Sequence, residues 1–175
     1  MTSPWRRLAA FGVDYFVIAT YLVALTAISI LGGSAFGLSI GLPRTEADRL
    51  RGELLGFATL TLPVLLYFAV SEGRGQHASL GKRVLGLRVT RTNGLQLGIG
   101  RSLVRSSAKF APWELAHAGV WHTIGPLWPQ QAEMGPLSYL APVGMLLALV
   151  YLGFVLVPPG RTPYDRIADA RVVTL

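Results

Sequence analysis

The sequence predicts an all-α membrane protein with four transmembrane helices, three clear and one polar, and a small cytosolic β-hairpin joined by a C-terminal strand. Three observations carry this prediction. Hydrophobic residues make up 51% of the 175 residues and charged residues only 14%, whereas soluble domains carry roughly 25% charged residues. Long uncharged runs account for the deficit. A mid-chain segment with alternating apolar residues around a turn signal and a short β-branched run at the C-terminus indicate the β-element.

The charge balance agrees with a membrane protein. The chain has 16 Lys and Arg residues against 9 Asp and Glu residues, a formal net charge of +7. Loops on the cytosolic side of membrane proteins collect Lys and Arg. No basic run is interleaved with aromatic residues as in single-strand binders, so we expect no nucleic-acid partner. The chain has no cysteine, which excludes disulfides, thiolate metal sites and cysteine nucleophiles.

Three runs are apolar enough to be read as membrane spans. The first is predicted over residues 8–31 and contains a single charged residue, Asp14. The second is predicted over residues 54–70, where Pro63 is compatible with a kinked membrane helix. The third covers residues 137–157. A span of the hydrocarbon core, about 30 Å thick, takes about 20 such residues.

A fourth, polar span is predicted over residues 103–125, although this segment contains Arg105, Lys109, Glu114 and His117. Two arguments favour it over a three-span arrangement. The first is that Lys and Arg are divided more unequally between the two sides of the membrane when this segment crosses it, as the positive-inside rule requires. The second comes from the β-element.

Residues 86–98 read as a β-hairpin, because alternating apolar residues flank Asn93-Gly94, a strong two-residue turn signal. An isolated hairpin is marginal in water and needs a third strand. The other short β-branched run is "ARVVTL" at the C-terminus. Pairing of the two places the C-terminus on the side of the hairpin. An even number of spans then follows the hairpin, and both termini are cytosolic.

Three blocks of the sequence resemble the RDD family of bacterial membrane proteins. They are "PWRRLAAFGVDYFVIA", "ASLGKRVLGLRVTRTNG" and "TPYDRIADARVV", and together they span nearly the whole chain in order. By this resemblance the family arginine corresponds to Arg6 or Arg7, and the aspartate of the first helix corresponds to Asp14. The second family aspartate corresponds to Asp165.

The last block departs from the more usual His-Asp-Arg-Leu-Ala-Gly-Thr form. Tyr164 and Asp169 stand where His and Gly are usual, so the resemblance carries no histidine to this position. It implies a multi-pass protein of the bacterial inner (plasma) membrane that is loosely associated with transport. It brings no established biochemical activity. The chain length fits a single domain over residues 1–175.

Asp14 is a carboxylate within an apolar run. An unpaired aspartate at the bilayer centre costs roughly 2.5 to 3.5 kcal/mol on insertion scales, so such groups face a cavity or a partner. Two interpretations remain open. The carboxylate handles an ion or a proton, or it forms a structural pair that fixes helix packing. In both cases we expect its partner to come from residues 109–117.

Glu114 and His117 are three residues apart and share one helix face. This spacing occurs in metal sites of helix bundles, but those sites combine two copies of the motif with further carboxylates, and this chain has one copy. We therefore expect no metal and no cofactor. A buried hydrogen-bonded pair, or half of a proton relay with Asp14, is the expectation.

Five basic residues are predicted to contact anionic lipid headgroups. Arg101, Arg105 and Lys109 form a stripe at i, i+4 and i+8 that snorkels toward headgroups where the helix enters the membrane. Lys82 and Arg83 lie in a Gly- and Lys-containing segment that lacks the spacing of a nucleotide phosphate loop. Lipid phosphates are the ligands that we expect there.

Two functional hypotheses follow, and neither is enzymatic, because no catalytic motif is present. In the first, Asp14, Glu114 and His117 form a polar intramembrane site of a transport-related protein, which would work as a homo-oligomer because four spans make a thin wall. In the second, the protein is a non-transporting accessory or scaffold component that binds another membrane protein or anionic lipid. A water-accessible cavity joining Asp14 to Glu114 would favour transport, and closed pairs would favour the scaffold.

Overall fold

The computed structural model describes residues 2–35, 45–123, 136–157 and 160–174. Within these ranges the chain forms seven α-helices and two β-strands. In chain order they are α1 (Pro4–Ala35), α2 (Glu46–Gly56), α3 (Leu62–Gly73), α4 (Leu80–Val84), β1 (Leu87–Arg91), α5 (Ile99–Thr123), α6 (Leu140–Leu156), α7 (Pro163–Ile167) and β2 (Ala170–Thr174). A π turn, Phe57–Thr61, joins α2 to α3, and a 3₁₀ turn, Pro136–Tyr139, leads into α6.

Three helices of the described residues are long and apolar enough to cross a membrane. They are Pro4–Gly33, Ala47–Gly73 and Pro136–Leu156. The first two contain the first and second predicted spans entirely, and the last contains the third predicted span up to Leu156. Large apolar side chains along these helices are exposed on the surface of the protein, as expected for helices that lie in lipid rather than in water.

The second of these helices is made of α2, the π turn and α3. Thr45 begins it with a capping box, in which its hydroxyl accepts from the Asp48 amide and the Asp48 carboxylate accepts from the Thr45 amide, each at 3.1 Å. Such reciprocal bonds satisfy two of the free amides at a helix start. Pro63 is the second residue after the π turn. The helix thus absorbs the proline by a local change of winding and does not end there.

Helices α5 and α6 pack side by side in opposite directions. A Cβ added to Gly144 would lie 2.4 Å from the Pro112 carbonyl oxygen, and one added to Gly119 would lie 2.1 Å from the Ala141 amide. Glycine is therefore required where the two backbones touch, as is common between membrane helices. The fourth predicted span lies in α5 as far as Thr123, and its last two residues are outside the described ranges. Because α5 contains several charged residues, it is not among the three helices that are apolar enough to cross a membrane.

Strands β1 and β2 form an antiparallel two-stranded sheet in which Leu87 faces Thr174 and Val89 faces Val172. The C-terminal strand therefore pairs with the predicted hairpin region. The hairpin itself is smaller than predicted, since its second arm contributes one isolated bridge, between Thr90 and Gln96. The arm is cut short because Gly98 takes a left-handed conformation, φ +74°, and α5 begins at the next residue.

A small apolar core fastens the sheet to the short helices. It contains Val89, Leu97, Ala168 and Ala170, with Val172 packed against it. We call the end of the molecule where α4, β1, α7 and β2 lie the sheet end. The N-terminus of α1, the C-terminus of α3 and the N-terminus of α5 meet these elements there, and the side chains buried at this junction are mostly polar or charged.

Candidate functional site

Asp14 lies at the junction of α1 with the sheet end and is only 1% exposed. Its carboxylate accepts hydrogen bonds from the Ser79 hydroxyl at 2.6 Å, the Gly81 amide at 2.8 Å and the Tyr67 hydroxyl at 2.9 Å. Residue 81 has to be glycine, since a Cβ there would lie 1.9 Å from the Ala10 carbonyl oxygen. The short helix α4 thus begins against α1, with Asp14 binding its first turn.

These partners differ from the expected ones. The sequence prediction took the partner of Asp14 from residues 109–117, whereas the structure takes all three donors from α3 and from the start of α4. The donors are uncharged. The reason is that α1 contacts α4 closely at Gly81. This contact places backbone and hydroxyl donors next to the carboxylate, so these donors bind it instead of a side chain of α5.

Glu72, near the end of α3, is fully buried between two cations. The Lys82 ammonium lies 2.7 Å from its Oε1, and the Arg105 guanidinium contacts its Oε2. Lys82 also reaches the Ser79 hydroxyl at 3.4 Å. Because Ser79 donates to Asp14, the Asp14 site and the Glu72 site are continuous.

Asp165, in α7, binds the side of the Arg105 guanidinium that does not contact Glu72. Its Oδ1 is 2.8 Å from Nε and 2.7 Å from Nη2 of Arg105, and its Oδ2 is 3.2 Å from Nη2 of Arg7. The Thr162 amide also donates to this carboxylate, at 3.2 Å, as part of a capping box that begins α7. Burial opposes ionisation of Asp165, but the guanidiniums of Arg105 and Arg7 outweigh it and hold its pKa below the ordinary value.

The resulting chain of contacts is called here the charge network. It runs through side chains in the order Asp14, Ser79, Lys82, Glu72, Arg105, Asp165, Arg7. The network joins five helices, α1, α3, α4, α5 and α7. Desolvating a charge costs several kcal/mol, and it is offset only when partners and further hydrogen bonds satisfy the group. Each of the three carboxylates meets that condition, so the network is closed.

Lys109 lies beside the network but is not paired within it. Its ammonium is 3.4 Å from the centre of the Phe68 ring, 5.2 Å from that of Phe110 and 5.7 Å from that of Phe11. Among the residues that the structure describes, no carboxylate is within ion-pair distance of it. Cation–π attraction to the three rings is the favourable contact that the fold provides.

Glu114 and His117 lie further along α5 and have separate partners. Glu114 accepts a hydrogen bond from the Thr61 hydroxyl at 2.6 Å, and the His117 ring packs edge-on against Trp113 at 4.6 Å. In the part of the chain described by the structure, no group of three His, Asp or Glu side chains is arranged to hold a metal ion. Glu114 and Asp14 are bound to side chains six residues apart on the same α2–α3 helix, which is about 9 Å along its axis.

Of the five predicted headgroup residues, Lys109 lies among phenyl rings, and the other four divide into two sets. Lys82 and Arg105 form buried ion pairs with Glu72 instead of facing lipid. Arg83 and Arg101 are exposed; Arg83 donates to the Ala78 carbonyl at 3.2 Å, and Arg101 lies 4.0 Å from Asp169.

The two candidate family arginines also differ. Arg7 takes part in the charge network, whereas the Arg6 guanidinium donates to the Leu85 carbonyl at 2.5 Å. Sequence reasoning did not select Glu72 and Ser79 of the network, nor Tyr67, which donates to Asp14. Only Glu72 carried a signal, because it is an ionisable residue at the end of an apolar run.

Comparison with known proteins agrees with the sequence blocks. A family model described as the RDD family matches residues 1–173. The match includes Arg7, Asp14 and Asp165, which the fold brings into the charge network. No curated protein and no solved structure matches the chain.

Proposed function

Since the chain belongs to the RDD family and has three helices able to cross a membrane, we propose that this membrane protein is a non-transporting accessory or scaffold component. One observation carries the proposal. The buried carboxylates Asp14, Glu72 and Asp165 are all closed in hydrogen bonds and ion pairs. A closed network fixes the sheet end to the helices, and it leaves no free acid to carry an ion.

The proposed arrangement has four spans, with α5 as the fourth. Antiparallel pairing of β1 with β2 supports it, because strands that pair must lie on the same side of the membrane. Between them come α5 and α6, which pack side by side in opposite directions. We propose that both cross the inner membrane and that the sheet end and both termini are cytosolic, in keeping with the excess of basic residues there.

The surface that this scaffold would present is basic. The buried carboxylates of the sheet end bind groups inside the protein. Several arginines there are exposed and form no ion pair among the described residues. These are Arg6, Arg74, Arg83, Arg88, Arg166 and Arg171. A rigid basic surface at the membrane attracts acidic surfaces of another membrane protein or anionic lipids.

Site-specific photo-crosslinking in cells tests this proposal. A photoreactive residue replacing Arg88 is expected to give a discrete adduct, which is lost when Arg83 and Arg171 are changed to Gln. The matched control replaces Arg51, an exposed arginine of α2 at the opposite end, and is expected to give no such adduct. Equal adducts at the two positions, or an adduct that survives loss of the two arginines, would contradict the scaffold role.

Transport is the second candidate, and one observation favours it. Asp14 and Glu114 are each bound by a hydroxyl of the same α2–α3 helix, Tyr67 in one case and Thr61 in the other, and hydroxyls are able to pass protons. His117, one turn beyond Glu114, would extend such a path. Flux of a panel of ions into proteoliposomes, with Asp14→Asn as the control, decides between the candidates. Flux that is lost in Asp14→Asn protein that remains folded would establish transport.

A further inference from the structure

The charged side chains at the sheet end of the helices do not balance. The network together with its neighbour Lys109 contains four cations and three carboxylates. The cations are Arg7, Lys82, Arg105 and Lys109, and the carboxylates are Asp14, Glu72 and Asp165. One positive charge is left over. Arg7, Lys82 and Arg105 each contact a carboxylate, and Lys109 is the one of the four cations that contacts none.

The surroundings of Lys109 do not compensate this charge fully. Phenyl rings attract an ammonium, but a desolvated cation without an anion remains costly. A second ammonium adds repulsion, because Lys82 lies over the same Phe68 ring, 5.5 Å from its centre, while Lys109 is 3.4 Å from it. An anion that reached Lys109 would therefore gain more than one that met an ordinary surface lysine.

The position of Lys109 leaves one direction of approach. Phe68, 3.4 Å from the ammonium, is fully buried, whereas Phe11 of α1, 5.7 Å from it, is 48% exposed, and Lys109 itself is partly exposed. The open side of Lys109 is therefore the side toward Phe11, between α1 and α5. Long side chains on a helix lean toward its N-terminus, and the N-terminus of α5 is at the sheet end. The ammonium therefore points back toward the membrane boundary, where lipid phosphates lie.

We propose that Lys109 binds the phosphodiester of a monoanionic phospholipid, which enters between the sheet-end halves of α1 and α5. A single negative charge is what the cluster needs, and this selects a lipid of net charge −1 over a zwitterionic one. The inference requires that the chain span the bilayer. It goes beyond the scaffold role, because this site is between helices and is separate from the exposed basic surface.

Thermal unfolding in nanodiscs tests the site, with phosphatidylglycerol added stepwise to phosphatidylcholine. Wild type is expected to gain stability with saturation, and Lys109→Met to need about tenfold more phosphatidylglycerol for the same gain, as loss of one charge-assisted contact implies. Arg51→Met, an exposed arginine of α2 away from the sheet end, is the control and should retain the wild-type response. Native mass spectrometry should then show one tightly held phosphatidylglycerol fewer on Lys109→Met than on wild type and on the control.

Further arms of the experiment separate the sources of the anion. Inorganic phosphate and the water-soluble glycerophosphoglycerol headgroup are expected to give no protection. Protection by either, equal to that by the lipid, would overturn the lipid assignment. An unchanged response of Lys109→Met, or an equal loss in Arg51→Met, would overturn the site. If Lys109→Met does not fold, Lys109→Gln and Lys109→Arg are measured instead. Lys109→Gln should lose the bound lipid, and Lys109→Arg should keep it.

Discussion

Arg105 binds Oδ1 of Asp165 through two nitrogens, Nε at 2.8 Å and Nη2 at 2.7 Å. The pair joins the middle of the sequence to its C-terminal segment, with both side chains removed from solvent. Arg105 also contacts Glu72 through Nη1. One guanidinium therefore connects α3, α5 and α7, and the account of the protein as a rigid scaffold depends on it.

Replacing Arg105 is expected to be severely destabilising. Arg105→Met leaves two buried carboxylates, Glu72 and Asp165, with one cation fewer each, and the loss of a partner from a buried ion pair typically costs about 3 to 5 kcal/mol. Arg101→Met is the matched control, since Arg101 is exposed and 4.0 Å from Asp169, a contact worth less than about 1 kcal/mol. Denaturant unfolding in detergent measures both, and equal effects would refute the role of Arg105.

Stability is expected to fall in acid partly through Asp165. Its folded pKa is held below the ordinary value of 3.8 by Arg105 and Arg7 against the opposing effect of burial. The stabilisation is therefore complete above about pH 4, and it is lost as the pH falls through the folded pKa. Asp165→Asn should be less stable than wild type at pH 7 and should lose less on acidification. Parallel pH profiles for the two proteins would show that Asp165 contributes no such linkage.

The three hydrogen bonds that Asp14 accepts predict that its amide variant is less stable than wild type. Asp14→Asn keeps the shape of the side chain but removes the negative charge that strengthens the hydrogen bonds from Ser79, Gly81 and Tyr67. A hydrogen bond to a charged group is worth about 1.5 to 3 kcal/mol. Glu114→Gln alters a single hydroxyl contact with Thr61 and is expected to cost about 1 kcal/mol. Thermal stability in detergent ranks them. The reverse ranking would contradict the contacts described for Asp14.

Removal of the last six residues deletes β2 and is expected to free β1. Val89 faces Val172 and Leu87 faces Thr174 across the sheet, so the amides of β1 that the pairing protects should exchange faster. Hydrogen exchange of residues 87–91 in the truncated and full-length proteins measures the effect. Residues of α6 serve as the internal control, and unchanged protection of β1 would argue against the pairing.

Much of the architecture could be predicted from local patterns. Hydropathy located the three apolar helices, because a run of about 20 apolar residues has few alternatives to a membrane span. The β-branched C-terminus located β2. The burial of Asp14 also followed from its position in an apolar run. Its partners did not, since Ser79 and Gly81 are 65 and 67 residues away in the chain and α4 is too short to show a helical period.

The basic stripe of α5 shows where periodicity fails. Arg101, Arg105 and Lys109 follow one another at helical spacing, and the sequence prediction gave them a common role at lipid headgroups. In the structure Arg101 is exposed, Arg105 is buried between two carboxylates and Lys109 lies among phenyl rings. Spacing defines a helix face, but the neighbours of that face change along α5 as it passes from the sheet end into the bundle.

Thiol accessibility in the buried core of the sheet end measures whether the charge network holds the sheet end to the helices. Because the chain lacks cysteine, Val89→Cys places a single thiol in the buried core next to β2. At a temperature below unfolding, a water-soluble maleimide should react slowly with this thiol. Adding Arg105→Met should raise the reaction rate about tenfold or more. Adding Arg101→Met should leave the rate unchanged. Equal rates in the Arg105→Met and unmodified backgrounds would show that the charge network does not hold the sheet end to the helices.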